Sequence, residues 1–222
     1  MNERLLDFTH IISHNIRSNT SNMTMLIDLI DDTNDAEEKE EYFQFLKESN
    51  SKLTDTIFYL NETVDIQLSN NDHKITLNLK SEIQNVLKGI NGIVKSNNVQ
   101  INYSFSDSFE INTIPSYFES IMLNLITNSI KYKSEDRNLV ITLKAVKKDT
   151  KTTITFTDNG IGIDIQRNKD KIFGMYKTFH GNNDAVGLGL FMTKNHVEAL
   201  GGTIEVSSEV GVGTEFKLTF YE

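Results

Sequence analysis

At 222 residues, with 38% hydrophobic and 24% charged residues, the chain can hold one large or two small domains and has the composition of a soluble fold. A net charge of −9 argues against a nucleic-acid surface, and the absence of cysteine excludes disulfides and thiolate metal sites. No apolar run approaches the roughly 18 residues of a membrane helix, and no basic segment leads into an apolar stretch at the N-terminus. Neither a membrane segment nor a signal peptide is expected, and a reducing cytoplasm fits. The charge is unevenly spread: residues 1–70 carry 5 Lys/Arg against 14 Asp/Glu, whereas residues 71–222 carry 17 of each. That asymmetry predicts two domains with different tasks.

Residues 2–69 contain neither Gly nor Pro, and their apolar period is helical. Leu5, Thr9, Ile12, Ile16, Asn19, Met23, Leu26 and Ile30 step by four and three; Phe43, Leu46, Asn50, Leu53, Ile57, Leu60 and Val64 step by three and four. This is the seam of a helical bundle, with Asn19 and Asn50 as polar interruptions that fix register. Asp31-Asp32-Thr33-Asn34-Asp35 reads as the turn between two antiparallel helices. A lone hairpin buries such a seam poorly, whereas two copies forming a four-helix bundle bury it well. A homodimer through residues 1–69 is therefore expected, the alternative being a hairpin packed on its own C-terminal domain.

Residues 70–74 read as a polar linker. Strands and helices then alternate. Ile75–Leu79 is expected as a strand, Ser81–Val94 as a helix, Val99–Phe105 as a strand, and Ser116–Lys133 as a helix opened by Pro115. Strands follow at Leu139–Val146 and Thr152–Thr157 around a hairpin-like turn at 147–151. A helix at Leu188–Leu200 stops at Gly201-Gly202, and strands at Thr203–Ser208 and Glu215–Phe220 flank Gly211-Val212-Gly213. Residues 75–222 thus predict a two-layer α/β sandwich of helices and antiparallel strands.

Three pieces of this second domain carry polar chemistry. Asn124 and Asn128 share a helical face, with Lys131 one turn on and Tyr132 beside it. Amide oxygens are neutral hard ligands that suit Mg²⁺ already bound to phosphates, and a lysine neutralises phosphate charge. Asp158-Asn159-Gly160-Ile161-Gly162-Ile163 directly follows a strand. Its carboxylate can accept an adenine amino group while the glycines allow positive φ and close approach of a base. Gly187-Leu188-Gly189-Leu190 opens a helix whose free N–H groups can meet phosphate oxygens. Each signal alone is common in surface helices and turns; their order and spacing together point to a nucleotide.

Near the N-terminus, His10 and His14 stand four residues apart on one helical face, off the seam, and should be solvent-accessible. A neutral imidazole nitrogen is a competent nucleophile, and a phosphoramidate passes its phosphoryl group readily to a carboxylate. The same pair also fits two ligands of a metal or two solvated histidines, although no glutamate completes a zinc-protease pattern.

Taken together, these motifs resemble the catalytic core of bacterial two-component sensor histidine kinases across essentially the whole chain. Asn124 to Tyr132 is similar to the family's asparagine box and Asp158 to Gly162 to its first glycine motif. Lys171-Ile172-Phe173-Gly174-Met175-Tyr176 is similar to its phenylalanine box, Gly187 to Leu190 to the second glycine motif, and Gly211-Val212-Gly213-Thr214 to the last. The resemblance implies the Bergerat ATP-binding fold, with Lys177 to Val186 as an ATP lid; the polar Gly181-Asn182-Asn183-Asp184 suits a hinged loop. It further implies Asn128 as the Mg²⁺ ligand assisted by Asn124, Lys131 on phosphate, and Tyr132 on base or ribose. Ile163, Phe173, Lys177 and Thr214 complete the nucleotide contacts. Ala185 stands where the family often has a glycine, which implies an altered phosphate contact in the lid.

The family's histidine box runs His, acidic residue, apolar residue, Arg/Lys, Ser/Thr/Asn, Pro. His14-Asn15-Ile16-Arg17-Ser18-Asn19 matches four of these six positions, and the sequence after His10 does not match. His14 is thereby the expected phospho-acceptor. Asn15 replaces the acid, so it can orient the imidazole without adding charge, and a slower chemical step is expected. Asn19 replaces the proline, so a proline-induced bend should be absent. Ser18 stands where the family positions water for dephosphorylating a partner. The resemblance implies an ATP-dependent protein-histidine kinase that uses ATP and Mg²⁺ and passes phosphoryl to an aspartate in a response regulator's receiver domain. The chain would be the cytoplasmic part of a longer, membrane-bound receptor or a cytoplasmic protein. Asn15 and Asn19 keep open a weak, nucleotide-binding dimeric scaffold or a phosphatase. An ATPase is disfavoured because Asn124 stands where such enzymes carry a water-activating glutamate, and a protein-serine kinase would differ in the acid stability of its product.

Overall fold

The computed structural model describes residues 2–68, 73–168, 172–174 and 187–221; side chains are described from residue 12 onward, except at 58–59, 62–63 and 65–68. Two long helices, α1 (Asn2–Asp32) and α2 (Ala36–Leu68), form the hairpin. With no glycine or proline to interrupt them, both run unbroken, and α1 passes through Asn19 without a stop. The turn is built by capping. Asp35 Oδ1 accepts from the Glu37 and Glu38 N–H groups at 2.8 and 3.3 Å, and Thr33 Oγ1 donates to Glu38 Oε2 at 2.7 Å. Glu37 and Glu38 also lie in the first turn of α2, where negative charge is favoured.

The seam of α1 is as expected: Ile12 and Leu26 are buried, and Ile16, Asn19, Met23 and Ile30 are half-buried. On α2 the pattern is rotated. Tyr42, Leu46, Ser49, Leu53 and Leu60 are half-buried and Thr56 is fully buried, so these residues carry the packed face. Phe43, Ile57 and Val64 remain 44%, 45% and 42% exposed, and Asn50 is exposed with them. The expected α2 seam therefore splits. Leu46, Leu53 and Leu60 serve the hairpin, while positions 43, 50, 57 and 64, seven residues apart, form a second stripe facing outward.

The second domain begins with β1 (Ile75–Asn78), α3 (Leu79–Gly89), α4 (Asn91–Ser96), β2 (Gln100–Ser104), β3 (Glu110–Thr113) and α5 (Pro115–Lys131). It continues with β4 (Val140–Lys148), β5 (Lys151–Asp158), a short α6 (Ile165–Asn168), α7 (Gly189–Ala199), β6 (Thr203–Glu209) and β7 (Gly213–Tyr221). The five-stranded sheet has the order β2-β4-β5-β7-β6; β2 and β4 run parallel and the other pairs antiparallel. β1 pairs separately with β3. The single expected helix at Ser81–Val94 is instead α3 and α4, broken at Ile90 between Gly89 and Gly92. β3 and α6, each four residues long, escaped the sequence reading because periodicity is not legible over so few positions. The sheet is mixed rather than wholly antiparallel.

Helices α3, α5 and α7 cover one face of the sheet. Ile83, Phe118, Ile121, Met122, Leu125 and Ile126 meet Ile141, Leu143, Ile154, Phe156 and Leu218 in one continuous core. Along β5 the inward phase is Thr152, Ile154, Phe156 and Asp158, so a strand of clean alternation ends with a carboxylate pointing into the layer.

His196 on α7 is buried, its ring 4.9 Å from that of Tyr117 and tilted by 33°. Burial lowers its pKa from 6.5 to about 4. The folded state thus binds this proton more weakly than the unfolded chain. The associated stability is fully present above pH 6.5 and is lost as pH falls through about 4. Urea denaturation between pH 7 and pH 4 should show a loss of about 3 kcal/mol from this group, and His196→Phe should remove that part of the slope.

Candidate functional site

The site is assembled where the end of β5, the C-terminal half of α5 and the β6–β7 turn meet. Asp158, at the last inward position of β5, is 9% exposed. Burial raises its pKa above 3.8, opposed by hydrogen bonds from the Gly160 N–H, the Ser129 hydroxyl and the Thr214 backbone. Gly160 N donates to Oδ1 at 2.8 Å and Ser129 Oγ to Oδ2 at 3.1 Å. A buried carboxylate is costly unless so satisfied. Ser129 directly follows Asn128, so this bond ties the helix that bears both asparagines to the strand that bears Asp158.

The glycine loop after Asp158 is held closely on both sides. Ile161 N donates to Tyr132 O at 3.0 Å, and Gly211 N donates to Ile161 O at 2.8 Å. Gly160 has no room for a side chain, since a Cβ there would stand 2.5 Å from Tyr132 O. Gly162 has φ +72° and a Cβ would lie 2.0 Å from Glu209 O; Gly213, at φ +147°, would clash equally with Asp158 O. The last glycine motif is thus packed against the first. Ile163 N donates to Ser208 Oγ at 2.8 Å, and Ser208 Oγ stands 3.0 Å from Thr214 Oγ1, which brings Ile163 and Thr214 to the same corner.

On α5, Asn124 and Asn128 are half-buried and Lys131 exposed, as one polar face requires. Burial raises the Tyr132 phenol pKa, so its hydroxyl stays protonated as a donor. Lys131 also acts at a distance on the hairpin. Burial raises the Asp55 carboxyl on α2, and the Lys131 cation pulls the other way. α7 packs on α5 and touches α2. It opens at Gly187 (φ +70°) and Leu188, and the Leu188 side chain forms no cap on its first turn. Leu188 is buried, while Gly187, Gly189 and Leu190 are partly accessible. Phe173 is half-buried against the core, with Lys194 Nζ 5.9 Å from its ring centre.

The structure therefore brings Asn128, Tyr132, Asp158, Gly160, Gly162, Ile163 and Thr214 together through hydrogen bonds or close packing. Lys177 and the lid at 177–186 lie outside the described residues, as do Lys171, Met175 and Tyr176 of the phenylalanine box and the side chain of His10. His14, Arg17 and Ser18 are exposed on α1, and Asn15 is half-buried. Ser129, Ser208 and Arg137 went unnoticed in the sequence. Ser129 lies inside the asparagine box and was discoverable by its adjacency, whereas Ser208 and Arg137 fall in no motif. Among the described residues no helix is long and apolar enough to cross a membrane.

The donor set suits the groups the motifs imply. Neutral amide oxygens beside a lysine fit a hard cation that arrives with phosphates, and a buried carboxylate beside a glycine loop fits an amino-bearing base. Residues 113–222 match the family of histidine kinase-, DNA gyrase B- and HSP90-like ATPases. The chain is 34% identical over 119 residues to the signal transduction histidine-protein kinase ArlS of Staphylococcus aureus (strain USA300), covering 52% of this chain and 26% of that protein. In structure it is similar to the histidine kinase AdeS of Acinetobacter baumannii, at TM-score 0.72 and 17% identity over 94% of this chain and 97% of that one. It is also similar to the histidine kinase ThkA in complex with the response regulator protein TrrA, at TM-score 0.76 and 17% identity over 99% of this chain and 63% of that one. At such identity the structural likeness establishes the fold. The chain spans only 20% and 26% of the length of curated relatives it matches. Residues 113–222 are thus an ATPase domain of the histidine kinase-, DNA gyrase B- and HSP90-like family, and the sequence relatives together with the hairpin-plus-sandwich fold support a sensor histidine kinase core.

Proposed function

We propose that this core transfers the γ-phosphoryl group of ATP to His14 and then to an aspartate of a response regulator. The observation that carries the reading is the pairing of a buried, hydrogen-bonded Asp158 in a glycine-walled loop with an exposed His14 in a matching histidine box. Residues 1–69 are taken as the dimerisation and phosphotransfer hairpin, 70–74 as the linker and 75–222 as the ATP-binding domain. Asp158 accepts the adenine amino group between Gly160 and Gly162, with Ile163, Phe173 and Thr214 around the base and Tyr132 on base or ribose. Lys131, Lys177 and the N–H groups at Gly187 to Leu190 would contact the phosphates. Asn128, assisted by Asn124, would hold Mg²⁺, which neutralises phosphate charge when bound.

In the chemical step an imidazole nitrogen of His14 attacks the γ-phosphorus, the bond to the bridging oxygen breaks, and ADP leaves as the imidazole loses its proton. Asn15 orients the ring through its amide, Arg17 adds positive charge one turn along, and Ser18 is placed to position water. The phosphoramidate then passes its phosphoryl group to a carboxylate oxygen of the regulator. The complex of the structurally similar ThkA with the response regulator protein TrrA supports a response-regulator partner for this core. The outward stripe of Phe43, Ile57 and Val64 supports a homodimer, because a second copy would bury what one chain leaves exposed.

Incubation with γ-labelled ATP and Mg²⁺ should give acid-labile label in wild type and His10→Gln but none in His14→Gln. Label lost only in His10→Gln would overturn the assignment; ATP binding without label in any form would favour the scaffold or phosphatase reading. Ile57→Glu should sediment as a monomer with unchanged helicity, and a persistent dimer would exclude this stripe as its interface. Asp158→Asn should abolish nucleotide binding. Because the folded Asp158 has a raised pKa, its stabilising contribution is present below pH 3.8 and lost as pH rises through the folded value. Urea melts of wild type should show that downward slope, and those of Asp158→Asn should lack it.

A further inference from the structure

Arg137 lies in the loop between α5 and β4, outside every motif, and its side chain is exposed. Its guanidinium nevertheless donates to four backbone carbonyls. Nε reaches Asn159 O at 2.7 Å, and Nη2 is shared among Gly160 O at 2.8 Å, Gly211 O at 2.7 Å and Val212 O at 3.2 Å. Two of these belong to the glycine loop and two to the β6–β7 turn.

The peptides whose oxygens Arg137 holds also use their N–H groups. The Asn159–Gly160 peptide presents its oxygen to Arg137 Nε and its N–H, that of Gly160, to Asp158 Oδ1 at 2.8 Å. The Gly160–Ile161 peptide presents its oxygen to Arg137 Nη2 and its N–H to Tyr132 O at 3.0 Å. A peptide is planar, so fixing the direction of its carbonyl fixes the direction of its N–H. A cation on the oxygen also polarises the group and strengthens the bond its N–H makes. The guanidinium thereby acts on the Asp158 carboxylate through one intervening peptide.

We infer that Arg137 is a positioning residue of the nucleotide site, holding Asp158 where it reads the amino group of the base and so setting preference for an amino-bearing purine. The inference rests on the proposed ATP site. The loop has a second, independent anchor: Asn159 Oδ1 accepts from Val140 N at 2.8 Å and Nδ2 donates to Asn138 O at 3.0 Å. Removal of an exposed arginine should therefore leave the fold intact while freeing the peptide beside Asp158.

The test is calorimetric titration of wild type, Arg137→Ala and Arg137→Lys with Mg-ADP and with Mg-IDP, which carries a carbonyl in place of the purine amino group. Arg137→Ala should lose roughly tenfold in ADP affinity, as expected for a charge-assisted hydrogen bond, with IDP affinity much less changed. Arg137→Lys keeps one cationic donor but cannot hold several carbonyls in a fixed fork, so its preference for ADP should fall between the two. Equal weakening of both nucleotides, or no change, would overturn the inference. If Arg137→Ala does not melt cooperatively, the lysine variant decides alone, an ADP preference equal to that of wild type being the overturning result. Wild type that binds neither nucleotide would defeat the ATP site and this inference together, whereas wild type that prefers ADP isolates the question to Arg137.

Discussion

The position of Asp158 is the constraint on which the candidate nucleotide site depends. Period-two alternation along β5 places Ile154 and Phe156 in the core and delivers the next inward residue, a carboxylate, into the same layer. Such a group is tolerated there only because three donors meet it, from the loop that follows it, from α5 and from β7. Those three donors tie together the elements that carry the asparagines, the first glycine motif and the last. The glycines are then required for steric reasons. A side chain at Gly160, Gly162 or Gly213 would stand within 2.5 Å of a backbone oxygen from a neighbouring segment. Close backbone packing and a buried acid are thus two consequences of one arrangement.

The hairpin follows a different logic, in which one helix serves two interfaces. α2 turns Leu46, Leu53, Thr56 and Leu60 toward its own chain and leaves a heptad-spaced stripe outside. A helix with two apolar stripes is suited to a bundle of more than two helices, and a hairpin alone supplies only two. Its acidic surface meets the second domain near Lys131, whose charge acts on Asp55. The same lysine is the one assigned to phosphate. Under the proposed function, hairpin and nucleotide would share this one cation.

At the histidine box the departures from the family pattern are local and polar. α1 continues through Asn19 as an unbroken helix, and His14 sits exposed on it with Asn15 half-buried alongside. An amide in that place can orient an imidazole by hydrogen bonding but adds no charge to raise its basicity. The nucleotide half of the chain shows no comparable departure among its described residues. The departure noted there in sequence, Ala185, lies outside the described residues.

Much of this was legible along the chain because its signals are local. The helical period and the lack of Gly and Pro specified the hairpin, and the motifs placed Asn124, Asn128, Asp158 and the glycines in the correct elements. What the sequence left undetermined depends on contacts between distant segments. The α2 seam was read as one stripe because positions 46 and 50, or 53 and 57, are equivalent in periodicity; only packing against α1 separates the inward from the outward set. The parallel pairing of β2 with β4 and the four-residue β3 are likewise decided by partners rather than by local propensity. Arg137 is the clearest case. Nothing about a lone arginine before a strand marks it in sequence, because its partners are carbonyl oxygens, which every residue carries. Only the tertiary structure, by bringing residues 159–160 and 211–212 to one point, gives that side chain a role.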